Sequence, residues 1–424
     1  MQEEIQKHNQ ASFTRVSEAF DFLANKLTKN GLDVGNILSQ LSGFQVAIPS
    51  WALGAGGTRF GRYGIGGEPA NLEDKFHDVG LIHALTGCAG AISLHIPWDI
   101  PKDTLAIKEL AAANGLVFDA VNSNTFQDQP GQKLSYKFGS LSNVNKDIRD
   151  LAIAHNKEVV DIGNALGSKS ITVWLADGSN FPGQSNFRTA LDFTAQSLQE
   201  IYQYMPTDWS LFIEYKPYEP HFYHTVIQDW GTSLMLANAC GNHAFTLVDL
   251  GHHLPNTNIE NIVSTLIYQG KLGGFHFNDS KYGDDDLTVG SIKPYQLFLI
   301  FNELVWGLEH NIKNNPAPAW MIDASHNLKD PIEDLIQSLD AILIAFVQAL
   351  IIDQKALQTA QMNHDVSLAQ EILQDAYRTD VRPLIQKMRA SKNVAIDPLK
   401  TYRTMDIRNK LIAKRGVNSR ATGL

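Results

Sequence analysis

The sequence predicts an α/β protein, a (β/α)₈ TIM barrel with an N-terminal helical extension and a C-terminal helical arm. Three observations predict it: eight short β-rich runs, amphipathic stretches of helical length between them, and nearly pure helical patterning after residue 330. A chain of 424 residues, 44% of them hydrophobic, can bury one barrel core with added elements.

Residues 1–40 form the N-terminal extension. Phe13, Val16, Phe20, Phe22, Leu23 and Leu27 recur at helical spacing, and Gly31 follows as the stop. The β-rich runs are GFQVAIPSW (43–51), AISLHIPWD (91–99), LVFDAVNSN (116–124), SITVWLADG (170–178), SLFIEYKPY (210–218), FTLVDLGHH (245–253), GGFHFNDSKYG (273–283) and AWMIDASHN (319–327). Helices are expected between them, among others over 146–167, 188–205 and 258–270, the last closed by Gly270. Such alternation requires parallel strands joined by right-handed crossovers, which close into a barrel over residues 41–330. A doubly wound open sheet is the alternative, disfavoured because no G-x-G-x-x-G or Walker loop follows the first run. Residues 331–424 read as a helical C-terminal extension suited to packing against neighbouring subunits.

The formal charge of −10 opposes a nucleic-acid-binding surface, which needs clustered Lys and Arg. The polar, acidic start MQEEIQKHNQ and the lack of any run of eighteen apolar residues predict a cytoplasmic protein with no membrane span. Cys88 and Cys240 stand apart without metal spacing and read as buried small hydrophobes in a reducing compartment.

In a barrel, residues at strand C-termini converge on one face however far apart they lie in sequence. Here run five ends in Glu214 and Lys216, run six in Asp249 and His252, run seven in His276 with Asp279, Asp284 and Asp286 beyond, and run eight in Asp323 and Ser325. Taken singly, each acid reads as solvated or ion-paired, and His252-His253 as one exposed and one core histidine. Together, four consecutive strands would crowd like charges on one rim, which calls for cations. Carboxylates with some imidazole suit Mn²⁺, Mg²⁺ or Co²⁺ better than a thiolate-bound zinc. Two ions account for the inventory best: one among Glu214, Asp249, His276 and Asp323, a second near His252, Asp284 and Asp286. Trp51, His95, Trp98, Phe126 and Trp174 end runs one to four and supply an aromatic wall opposite the charges. The segment GAGGTRFGRYGIGGEP (54–69) lacks a GK[ST] ending and reads as a lid carrying Phe60, not a phosphate loop.

These residues lie in long blocks, IPSWALGAGGTRF, SLHIPWD, NSNTF, ITVWLADGSNFPGQSNF, VDLGHH, PNTNIE, GKLGGFHFNDSKYGDDDL and MIDASHN. Over roughly residues 40 to 400 the sequence resembles the L-rhamnose isomerase family, in particular its broad-specificity form, related in fold to xylose isomerase. The resemblance implies a structural metal on Glu214, Asp249, His276 and Asp323 and a catalytic one on His252, Asp284 and Asp286. It further implies that His95, Trp174 and Lys216 contact sugar oxygens, that Trp51 and Phe126 form the hydrophobic wall, and that Ser325 reaches a distal hydroxyl. Phe60 would close the pocket of a neighbouring subunit in a homotetramer. Two departures stand out: Pro217 directly after Lys216, and the lid sequence GRYGIGG.

The expected activity is therefore a metal-dependent aldose–ketose isomerisation between L-rhamnose and L-rhamnulose, extending to L-mannose, L-lyxose or D-allose. Hydride shift between C1 and C2 is the expected route, with Asp323 or Asp286 serving the O1/O2 proton and Lys216 stabilising negative charge. An enediol route with Asp323 as base is the rival. A ketose 3-epimerase on the same barrel is the alternative function; a metal-dependent endonuclease and a sugar-binding protein rank below it.

Overall fold

A computed structural model describes residues 1–54, 63–219, 224–324 and 328–421. Eight parallel strands close on themselves: β1 (Ala47–Pro49), β2 (Ala91–Ile96), β3 (Val117–Ser123), β4 (Ser170–Val173), β5 (Ser210–Glu214), β6 (Ala244–Asp249), β7 (Leu272–Phe277) and β8 (Ala319–Ile322). Each pairs with its sequence neighbours, and Ala47 closes the ring by pairing with both Ala91 and Met321. In most of the predicted runs the strand occupies the front and the rest becomes loop at its C-terminal end, where function is carried in this fold; in the first run, 43–51, the strand is the later part, Ala47–Pro49.

Helices cover the outside because each strand turns an alternate row of large apolar side chains outward. Ile92, Leu94 and Ile96 of β2, Ile171 and Val173 of β4, and Phe275 and Phe277 of β7 are buried in one cluster with helix residues. Helix Lys146–Leu166 starts at Asn145, whose side chain accepts from the Asp147 backbone N–H. Helix Ile259–Gln269 ends at Gly270, whose φ of +68° turns the chain back towards β7.

At the N-terminus three helices appear, Gln2–Gln10, Phe13–Lys29 and Val34–Gly43. Val16, Leu23 and Leu27 face the core with Phe20 packed beside them, as the spacing predicts. Phe13 and Phe22 do not: they are 56% and 77% exposed, Phe22 because it lies one position off that stripe and Phe13, although at stripe spacing, as the first residue of the helix. Helix Pro331–Leu350 buries most of its length against the barrel and is followed by shorter helices to Arg415. No single described helix is long and apolar enough to cross a membrane; only the pair Pro331–Leu350 and Gln354–Met362, bent by 65°, reaches that length and composition together. Both cysteines are free, Cys88 buried and Cys240 half-buried.

Inside the barrel a small separate cluster of Ala120, Phe212, Phe245 and Leu247 fills the space below the strand ends. Two phenylalanines fit there because β7 carries Gly273: a Cβ at that position would lie 2.7 Å from the Phe212 ring and 2.8 Å from Phe245 Cβ. Substitution Gly273→Val is therefore expected to destabilise the protein by about 1–3 kcal/mol through overpacking. Urea unfolding of the purified variant measures it, and an unchanged midpoint would show that the plug can yield.

Candidate metal and sugar site

Just above this plug the strand ends deliver the charged residues. Glu214 and Asp249 are the last residues of β5 and β6, His276 is the penultimate residue of β7, and Asp323 directly follows β8. Inward-facing alternation sends all four to one point, where one donor atom from each lies within 4.8 Å of the others. His276 Nδ1 stands 3.2 Å from Glu214 Oε1, 3.5 Å from Asp323 Oδ2 and 3.8 Å from Asp249 Oδ2. A second group comprises Asp249, His252 and Asp284. There His252 Nε2 lies 3.4 Å from Asp284 Oδ2 and 4.0 Å from Asp249 Oδ1. Asp249 thus stands between the groups. Asp286 lines the same cavity and touches the Asp284 carboxyl, but it is not a member of either group among the described residues. Its φ of +47° sets it in a left-handed turn, which sequence spacing does not reveal.

Other contacts hold these groups in place. The Trp51 indole Nε1 donates to Asp323 Oδ1 at 2.9 Å, and Asn278 Nδ2 donates to both Asp249 oxygens at 2.9 and 3.1 Å. Lys216 Nζ donates to Asp284 Oδ2 at 2.5 Å and to Glu219, and sits 5.3 Å from the centre of the Trp174 ring. Lys216 borders the cleft with Pro217 next to it in the chain. His253 is buried like His252, its Nε2 2.6 Å from the Tyr215 hydroxyl. Asp279 serves structure: its Oδ2 accepts from the backbone N–H groups of Ile292 and Lys293.

The opposite half of the cavity is aromatic. Trp51 meets His95 edge-on at 5.2 Å, His95 faces Trp98 at 4.3 Å, and Phe126 stands 4.9 Å from Trp174. Trp51, His95, Phe126, Trp174, Glu214, Lys216, His252, His276, Asp284, Asp286 and Asp323 all border one cleft. Asn122, Ser123 and Thr172 border it too and were not anticipated. Strand register brings them in: Asn122 pairs with Thr172 and with His95, and all three face inward. Phe60 and Ser325 lie outside the described residues.

The sequence matches no known family profile. It does match whole proteins. A probable sugar isomerase of Rhizobium meliloti (strain 1021) is 51% identical over 396 residues, covering 93% of this chain and 92% of its own length. Another, from Mesorhizobium japonicum, is 49% identical over 413 residues, with 97% and 96% covered. The chain belongs to this sugar isomerase family. Among solved structures, D-allulose 3-epimerase from Methylomonas sp. superposes with a TM-score of 0.52 at 13% identity, covering 70% of this chain and 96% of that one. The 3-keto-D-glucoside 4-epimerase of E. coli does so with a TM-score of 0.51 at 13% identity, covering 70% and 98%. At that identity the likeness is one of fold, and it places this sugar isomerase among barrel proteins.

The donor set of the sugar isomerase fits a divalent cation, because without one its crowded negative charge is relieved only by bound protons. Burial raises the Asp249 carboxyl to about 7, with the negative charges of Asp284, Glu214 and Asp323 adding to it and His252 acting against it. Burial alone would lower His276, but Glu214, Asp323 and Asp249 raise it to about 9. Burial alone would raise Glu214, but the charges and hydrogen bonds of His276 and His252 bring it to about 2. Burial lowers His95 to about 3 with help from the His155 charge, so its imidazole is neutral and able both to donate and to accept.

These shifts have signs for stability in the cation-free protein. His276 contributes fully below its usual 6.5 and loses that contribution as pH rises through about 9; Glu214 contributes above its usual 4.5 and loses it as pH falls through about 2. A cation that takes His276 Nδ1 must displace its proton. Apparent affinity for a divalent cation is expected to rise with pH between about 7, where Asp249 titrates, and about 9, where His276 does. Calorimetry in two buffers of different ionisation enthalpy counts the protons released, and an affinity flat across this range would remove His276 from the ligand set.

Proposed function

We propose that this sugar isomerase interconverts L-rhamnose and L-rhamnulose, and accepts L-mannose, L-lyxose and D-allose as further substrates. The observation that carries the reading is the pairing, in one cleft, of an acid–imidazole cluster with a wall of Trp51, His95, Phe126 and Trp174. The polyol chain needs directed polar groups, and the deoxy C6 of rhamnose needs an apolar surface. The long sequence blocks resembling L-rhamnose isomerase point to the same substrate.

Glu214, Asp249, His276 and Asp323 would hold one divalent cation and His252, Asp284 and Asp286 a second, Mn²⁺ fitting this mixed oxygen and nitrogen set. When bound, such cations neutralise the carboxylates and polarise the sugar's C1 and C2 oxygens. The remaining work belongs to the chain. The aromatic wall orients the sugar and excludes water. Hydrogen moves from C2 to C1 as hydride, while the proton leaving O2 is passed to O1 by Asp323 or Asp286. The Lys216 ammonium, already set by Asp284 and Glu219, faces the developing negative oxygen. We further propose a cytoplasmic homotetramer in which residues 331–424 pack between subunits and Phe60 closes a neighbour's pocket; the family resemblance supports this arrangement.

Chelator-treated protein is expected to convert L-rhamnose only after Mn²⁺ is added, as measured by appearance of the ketose. Interconversion of ketoses without aldose formation would instead establish a 3-epimerase. Asp323→Asn and Asp286→Asn are each expected to lower kcat by about 10²–10⁴-fold, the scale of a lost proton-transfer group. With C2-deuterated substrate in ordinary water, the label is expected to stay in the product; extensive washout would replace the hydride shift with an enediol route.

A further inference from the structure

We infer that Ser50, Lys75 and Asp99 are positioning residues of the sugar site, acting through Trp51 and His95; the inference rests on the isomerase reading. None of the three borders the cleft. All are sealed from water: Ser50 and Lys75 are 0% and Asp99 1% exposed. Ser50 directly follows β1, Asp99 lies in the loop after β2, and Lys75 sits on helix Leu72–Thr86.

One carboxylate ties these elements together. Asp99 Oδ1 accepts from Lys75 Nζ at 2.7 Å, while Oδ2 accepts from the His95 backbone N–H at 2.8 Å and from the Ser50 hydroxyl. Asp99 takes the main chain of His95 and leaves the imidazole alone, and among the described residues His95 Nδ1 has no hydrogen-bond partner. Ser50 carries the effect onward. Its neighbour Trp51 donates to Asp323 Oδ1 at 2.9 Å and packs edge-on against His95 at 5.2 Å. His95 in turn meets Phe126 at 5.6 Å. The wall on one side of the cleft and one oxygen of Asp323 on the other thus take their positions from Asp99.

Stability accounts poorly for a fully buried Lys–Asp pair, because apolar side chains of similar volume commonly serve a core as well or better. Position accounts for it. A carboxylate anchored by an ammonium at one oxygen offers the other, at a fixed point, to two donors from adjacent strands. Groups that hold ligand residues from behind commonly change metal affinity or activity by about 10–100-fold when removed.

The test is a cycle of Ser50→Ala, Trp51→Phe and the double variant in the full-length protein, titrated with Mn²⁺ and followed by the electron paramagnetic resonance of the free ion. Ser50→Ala is expected to weaken Mn²⁺ binding about tenfold, with a matching loss of kcat/KM on L-rhamnose and a nearly unchanged urea midpoint. Because Ser50 acts through Trp51, the double variant is expected to bind Mn²⁺ no more weakly than Trp51→Phe. Asp99→Asn, which keeps the shape and removes the charge, repeats the cycle should Ser50→Ala fold poorly. Unchanged Mn²⁺ affinity, or losses that add in full, would overturn the inference. If the parent binds Mn²⁺ but leaves L-rhamnose untouched, the substrate assignment fails while the titration still decides the role of Ser50.

Discussion

Three carboxylates and an imidazole, with donor atoms within 4.8 Å of one another, face inward from the ends of β5 to β8. Like charges held so close and so deeply buried repel, and the protein relieves the repulsion with protons shared among His276, His252 and Asp249, or with a cation in their place. Much of the surrounding structure answers this constraint. Asn278 donates to both oxygens of Asp249, Trp51 to Asp323, and Lys216 to Asp284, so these three carboxylates have donors fixed by different elements. These donors set where each negative charge sits before any ligand arrives, which is the preorganisation that electrostatic catalysis requires.

The barrel makes that crowding tolerable. Its interior is divided into an apolar plug of Ala120, Phe212, Phe245 and Leu247 below and a polar layer above, so the charged groups meet only at the open end. The glycine at position 273 lets the two phenylalanines fill the interior without parting the strands. The aromatic half of the cleft lowers the local polarity beside the charges, and this strengthens each electrostatic contact across it. One rim therefore offers both a surface for carbon and a set of charges for oxygen, the two demands a polyol makes at once.

Strand order and the convergence of the charged residues were legible in the sequence because both depend on local pattern. Alternation within SLFIE or FTLVD says which residues face inward, and a run that ends in Glu214 or Asp249 places that acid at the rim of any barrel. Phe22 misled because it is apolar but lies one position off the buried stripe of helix Phe13–Lys29, and Phe13 because, although at stripe spacing, it is the exposed first residue of that helix. Thr172 and Asn122 escaped notice because small polar residues inside a strand carry no marker of their own; strand register gives them meaning.

The sequence by itself determined the eight-stranded order, the inward set of acids and histidines, and the aromatic partners on the first four strands, since period-two alternation and strand-end position are properties of the chain. Only the tertiary structure decided that Asp249 belongs to both acid–histidine groups, that Asp286 sits at positive φ, and that Asp99 links Lys75, Ser50 and His95. Those relations join residues on different strands and helices, and their distances follow from barrel closure and strand stagger, which no local pattern encodes.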